Sequence, residues 1–110
     1  MGIENPVRLT DALPELALEL ERLLREQGES DLAAQVSALR IVDRCRCGDD
    51  FCSMFYVRPK PKAAYGPGHR NVALTPARGM LILDVVDERI AAVEVLYRDE
   101  ILHRLNEVTP

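Results

Sequence analysis

Three cysteines fall in one short run, Cys45-Arg46-Cys47-Gly48-Asp49-Asp50-Phe51-Cys52. Cys45 and Cys47 are two residues apart, a spacing that puts both side chains on one face of a strand. Gly48-Asp49-Asp50 is a turn cluster, so Cys52 should return towards them and bring three sulfurs to one end of a hairpin. Thiolates are zinc ligands, and zinc takes four donors in a tetrahedron. The fourth would have to come from His69, His103 or Asp49. The C-x-C-x4-C spacing differs from the usual C-x2-C knuckle, and no second ligand pair follows. Arg44 and Arg46 would favour a neighbouring thiolate, which admits redox chemistry as well, although no C-x-x-C motif is present. Reduced thiols can also serve simply as small apolar side chains. Packing, zinc and redox readings therefore stay open on the sequence alone. An odd, clustered cysteine count does not describe a secreted disulfide scaffold. It points to a reducing compartment, and the expected localisation is cytoplasmic.

The second segment with chemical potential is residues 58–70, Arg-Pro-Lys-Pro-Lys-Ala-Ala-Tyr-Gly-Pro-Gly-His-Arg. Its prolines and glycines exclude a helix or a central strand. Long irregular loops in compact domains often carry function. Arg58, Lys60, Lys62 and Arg70 are spaced along it, with Tyr65 and His69 among the glycines. These six residues form the candidate binding set, for an anionic ligand that Gly66 and Gly68 would let approach the backbone closely. The plainer reading is a solvated connection between strands. No P-loop signature is present.

Histidine chemistry is sparse, and Ser30, Ser37 and Ser53 lie in no nucleophile-elbow context. No catalytic residues are assigned. Asp84 and Glu94 stand out because they interrupt apolar strands. Buried carboxylates need partners, so the two are expected to sit at the sheet rim or to salt-bridge to Arg89 or Arg78. An acid–base pair of the two is the alternative.

Charge is distributed unevenly. Residues 1–37 carry eight acids and three bases, 38–78 eight bases and three acids, and 79–110 seven acids and three bases. The net charge of −4 argues against a general nucleic-acid binder. The basic middle third fits either internal complementarity or a local anion-binding surface. No apolar run approaches a membrane span. The start, Met1-Gly2-Ile3-Glu4-Asn5-Pro6, resembles neither a signal peptide nor a myristoylation site.

The elements that must position these groups follow from periodicity. Residues 1–9 read as an N-terminal arm. Thr10 and Asp11 offer an N-cap, and Pro14 suits a first turn. Leu13, Leu16, Ala17, Leu20, Leu23 and Leu24 then make one apolar stripe that ends at Gly28. Ser30 or Asp31 restarts a helix through Leu39, giving a helix hairpin. Strands are expected over 40–47, 51–57, 71–74, 80–86 and 89–97, with a tight turn at Asp87-Glu88. A last helix follows, with Asp99 near its N-terminus. The fold class is α+β: one domain, an N-terminal helix hairpin, an antiparallel β-meander of four or five strands, and a short C-terminal helix.

The stretch Gly79 to Leu96 resembles the closing hairpin of small bacterial proteins of unknown function. It shares with them an aspartate-bearing strand, a turn and a V-x-x-[IV]-E-[IV]-L strand. The resemblance implies a bacterial origin and a compact meander, and it carries no activity. The expected function is a non-enzymatic binding or regulatory module for a protein or acidic ligand. The alternative is a small zinc-binding or thiol-dependent protein using the cysteine hairpin. The meander has two edges and one short helix to cover them, so Leu81, Leu83, Val85 and Ile90 are expected to leave an exposed patch. A homodimer would bury it. In the competing monomer the 58–70 loop folds across the sheet.

Overall fold

A computed structural model describes residues 6–109. Its order is β1 (Val7–Arg8), α1 (Leu9–Ala12), α2 (Pro14–Glu26), α3 (Ser30–Gln35) with a 3-10 turn Val36–Ala38, β2 (Arg40–Ile41), β3 (Asp43–Arg44), β4 (Phe55–Tyr56), β5 (His69–Leu74), β6 (Met80–Val86), β7 (Arg89–Leu96) and α4 (Asp99–Val108). The fold is α+β. A five-stranded antiparallel sheet, β3-β4-β7-β6-β5, stands beside a two-stranded ribbon, β1-β2. No helix among the described residues is long and apolar enough to cross a membrane. The reading of Met1 to Asn5 lies outside the described residues.

Pro14 explains why the first helix comes in two pieces. A residue preceding proline is disfavoured in the helical region. Leu13 accordingly sits at φ −137°, ψ 65°, ending α1 and preceding α2. The cap expected at Thr10 or Asp11 is corrected by this break: Leu13 holds the N-cap position of α2 and makes no side-chain cap. Within the expected 1–9 arm, Val7 and Arg8 pair with Ile41 and Arg40, and residues 1–5 lie outside the described residues. From α2, Leu16, Ala17, Leu20, Leu23 and Leu24 enter the core, as the stripe requires.

The strand expected over 40–47 is two strands in different sheets. Arg40–Ile41 pairs with β1 and Asp43–Arg44 with β4, and Val42 between them donates its N–H to Tyr56 O at 2.8 Å. The 51–57 strand is regular only at Phe55–Tyr56, with Cys52 bridging to Leu96. His69 and Arg70, expected in the loop, open β5. Residues 57–68 carry the chain from β4 to the far edge of the sheet, which is why the strand order departs from a simple meander.

The β6–β7 hairpin closes with both turn residues left-handed, Asp87 at φ 51° and Glu88 at φ 63°. That is the two-residue turn whose twist suits a hairpin. The register shifts after Asp84: Asp84 faces Ala92 while Val85 faces Ile90. Ala91 is the extra residue, and its freed carbonyl accepts from Val57 N–H at 3.0 Å. Gln35 supports the same end, donating to Glu88 O and accepting from Ile90 N–H.

The patch expected at Leu81, Leu83, Val85 and Ile90 is absent. All four are buried within the chain, in one core with α1–α3 and α4. Their strand alternation points them to the helical side. The opposite face of the sheet carries a row running Asp43, Tyr56, Ala92, Asp84 and Asn71 from β3 to β5. Part of the 57–68 connection lies over this face. Lys60 Nζ sits 5.6 Å from the Tyr56 ring centroid, and the Tyr65 ring lies 4.8 Å from that of His69.

Candidate metal centre

The three cysteine sulfurs lie within 4.8 Å of one another. Two features bring them together. Cys45 N–H donates to Met54 O at 2.8 Å, extending the β3–β4 ladder by one residue. The Cys52 bridge to Leu96 then holds the return of the hairpin against β7. Gly48 turns the chain between them at φ 85°, a conformation glycine adopts without strain. Cys47 is exposed, and Cys45 and Cys52 are half-buried.

The three thiols are not equivalent. The Asp49 backbone N–H, followed by hydrogen bonds from the Cys45 and Cys52 thiols, holds the Cys47 thiol below its usual range. Burial pushes the Cys52 thiol up to about 11. Cys47 therefore ionises more readily than Cys52.

Charged neighbours are arranged around the hairpin by their own partners. Arg46 reaches back to Asp43 at 2.5 Å. Burial pulls the Asp43 carboxyl upward, but the hydrogen bonds from Arg46 and from Arg44 N–H outweigh it, and the carboxyl stays below its usual range. Arg44 donates to Thr109 O at 2.7 Å, tying the hairpin to the end of α4. The sulfurs open onto a cavity of about 410 Å³, whose other walls include Asp49, Leu102 and Asn106. Leu102 and Asn106 project from one face of α4, four residues apart. Their part in the site was missed in the sequence, where only that helical spacing could have signalled it.

Of the expected fourth donors, His69 is far from the sulfurs. Met80 pairs with Leu96 at the cysteine end of the sheet, and Val86 pairs with His69 at the other. Six residues of β6 separate those ends, roughly 20 Å at strand rise. His69 also has its own partner, Asp84 Oδ1 at 2.8 Å from Nε2. His103 is exposed on α4 and outside the sulfur group. Asp49 lines the cavity, and its carboxylate is likewise outside the group.

The six-residue basic set is brought together only in part. Tyr65 and His69 stack on the outer face of the sheet, and Lys60 sits over Tyr56. Arg70 is bound to Glu29 and Glu88, each at 2.9 Å. Its hydrogen bonds hold both carboxyls below their usual range. Arg58 lines two separate clefts, and Lys62 is exposed.

Asp84, expected at the sheet rim or paired with Arg89 or Arg78, is instead buried and held by other partners. Asp84 Oδ1 accepts from Asn71 Nδ2 at 2.8 Å as well as meeting His69. Neither Arg89 nor Arg78 reaches it, and Arg78 pairs instead with Glu100. Register explains the choice, because Asn71 lies directly across from Asp84 on β5. Glu94 faces Ile82, two positions along, and is half-buried.

No family model, no curated protein and no solved structure matches the chain.

Proposed function

We propose that this chain is a metal-binding module in which Cys45, Cys47 and Cys52 hold one thiophilic d10 ion, zinc being the leading candidate. The observation that carries the reading is the convergence of three sulfurs within 4.8 Å from two sides of one hairpin. Thiolates select zinc or cuprous copper over hard cations. At a zinc–sulfur distance of ~2.3 Å, tetrahedral geometry sets sulfurs roughly 3.8 Å apart. The three thiols therefore need to close by about an ångström, which a glycine-containing hairpin accommodates without rebuilding the sheet. Arg44 and Arg46 line the same cavity; Arg46 is already paired with Asp43, so Arg44 is the one that would offset part of the negative charge three thiolates would bring.

No fourth side chain joins the sulfur group among the described residues, and the three cysteines line the cavity of about 410 Å³, which would leave one coordination position open. Structural zinc sites close all four positions with protein ligands, whereas sites that exchange ligands keep one open. A three-sulfur site facing a polar cavity suits reversible metal binding or metal-dependent regulation. Asp49, on the cavity wall, is the side chain that could swing in.

Cobalt(II) substitution tests this reading. Titrating the reduced chain with cobalt should produce sulfur-to-cobalt charge transfer and tetrahedral d–d bands that saturate at one equivalent. Cys45→Ser, Cys47→Ser and Cys52→Ser should each reduce the charge-transfer intensity by about a third or abolish the complex. Absence of charge-transfer absorption in a folded, reduced sample would rule the site out.

A further inference from the structure

A groove of about 550 Å³ lies where the chain passes from the ribbon to the main sheet, lined by the 3-10 turn and β2 together with the residues that follow β4 and those that open β7. Val42 and Val57 contribute to its floor together with Ile90, and Arg40, Arg58 and Arg89 stand around it. We propose that this groove binds a small amphiphile, with an oxyanion head held by the three arginines and an apolar body against the valine and isoleucine side chains.

Charge complementarity carries the proposal. The chain holds eighteen acids against fourteen bases, so arginines should find carboxylates easily. Elsewhere most do: Arg70 binds Glu29 and Glu88, and Arg98 binds Glu19 and Glu100, while outside the groove Arg8 and Arg44 also make no ion pair with a described residue. Arg40, Arg58 and Arg89 make no ion pair with any described residue, and all three border this one groove. They come from three different elements: β2, the segment after β4, and the start of β7. Arginine forks match carboxylate and phosphate oxygens in pairs, which makes an oxyanion the fitting head group.

The body of the ligand follows from the floor. Ile90, buried beside the bulge at Ala91, lies beneath the groove, and Val42, where the chain changes sheet, lines it with Val57. The volume lies in the range of small-molecule pockets. A free amphiphilic acid of modest length fits both halves of the description. The site is separate from the cysteine cavity, with which it shares no lining residue.

Isothermal titration at concentrations below micelle formation tests the idea, with decanoate, decyl phosphate and decanol as probes. Decanoate or decyl phosphate should bind saturably at one per chain, and decanol at least tenfold more weakly. The two acids distinguish carboxylate from phosphate recognition. Arg58→Gln and Arg89→Gln, each checked by circular dichroism for an unchanged fold, should weaken the acids at least tenfold while leaving decanol unchanged. Raising the salt concentration should weaken the acids in parallel. Equal binding of decanol and decanoate, acid binding indifferent to both variants, or no saturable binding at all would each overturn the proposal. Cys47→Ser should leave acid binding unchanged, so failure here is distinguishable from failure of the metal site.

Discussion

Replacing Tyr65 by phenylalanine should stabilise the protein. The Tyr65 hydroxyl is buried and has no hydrogen-bond partner. Its ring lies over the sheet beside His69, close enough to Asp84 and Tyr56 for burial, then their charges, to push its pKa up to about 12. A buried hydroxyl without a partner costs about 1–3 kcal/mol, because its hydration is lost and nothing replaces it. Tyr65→Phe removes that cost and keeps the ring. A gain near the lower end, about 1 kcal/mol, is expected because the ring itself is only half-buried. For a domain of this size that corresponds to a melting temperature higher by roughly 4 °C.

The gain should also depend on pH in a defined direction. A tyrosine whose folded pKa lies above its unfolded value of 10.0 resists ionisation in the fold. Stability is unaffected by this while both states stay protonated, and it falls as pH rises from 10 towards 12. Phenylalanine has nothing to ionise, so the advantage of the variant should widen over that interval. Because the loop could open on its own, hydrogen exchange at His69 and Asp87 is the second readout. Their N–H groups donate to Gly66 O and Gly68 O and report loop docking directly. Both amides should exchange more slowly in the variant. A variant less stable than the parent by about 1 kcal/mol at pH 7 would refute the reasoning, since it would show that the hydroxyl makes a bond worth keeping.

Leu20 is fully buried on α2, so Leu20→Asp should leave an unpaired charge in the core and unfold the domain, costing several kcal/mol; a melting temperature within a degree or two of the parent would show the helix face to be misassigned. Asp43→Asn should destabilise at neutral pH, and the difference should disappear in acid. The folded pKa of Asp43 lies below its ordinary value of 3.8, so the contribution is complete above that pH and is lost as pH falls through the folded value; denaturant melts at pH 7 and pH 2 check the sign. Gly79 and Gly28 make a matched pair, both at positive φ. A Cβ at Gly28 meets open space, so Gly28→Ala should cost about 1–2 kcal/mol for left-handed backbone alone. At Gly79 it would collide with Leu96 O and with Arg98, so Gly79→Ala should cost clearly more, and equal melting temperatures for the two variants would contradict this.

What was legible in the sequence was what periodicity carries. The α2 stripe, the β6–β7 hairpin and the fold class all follow from apolar spacing that tolerates few alternatives. The convergence of Cys45, Cys47 and Cys52 was also readable, because a strand, a turn and a return fix it locally. Partner choice was not readable. Nothing in Arg40 to Cys47 says that its first half pairs with β1 and its second half with β4. The partners of Asp84 depend on the register between β5 and β6, which long-range packing sets. For the same reason the basic residues of 58–70 looked like one surface, although the strand start at His69 sends His69 and Arg70 to opposite faces of the sheet. Arg40 and Arg89 join Arg58 only through the fold, and sequence spacing gives no signal of that groove.

A metal-binding role requires the three sulfurs to act together on one metal ion. Elemental analysis of protein purified without chelator, paired with thiol titration before and after adding a strong chelator, addresses this directly. The account predicts about one zinc per chain, three thiols protected from reagent, and all three released when zinc is removed. Zinc well below one per chain, with all three thiols freely titratable even after equimolar zinc is added back, would contradict it.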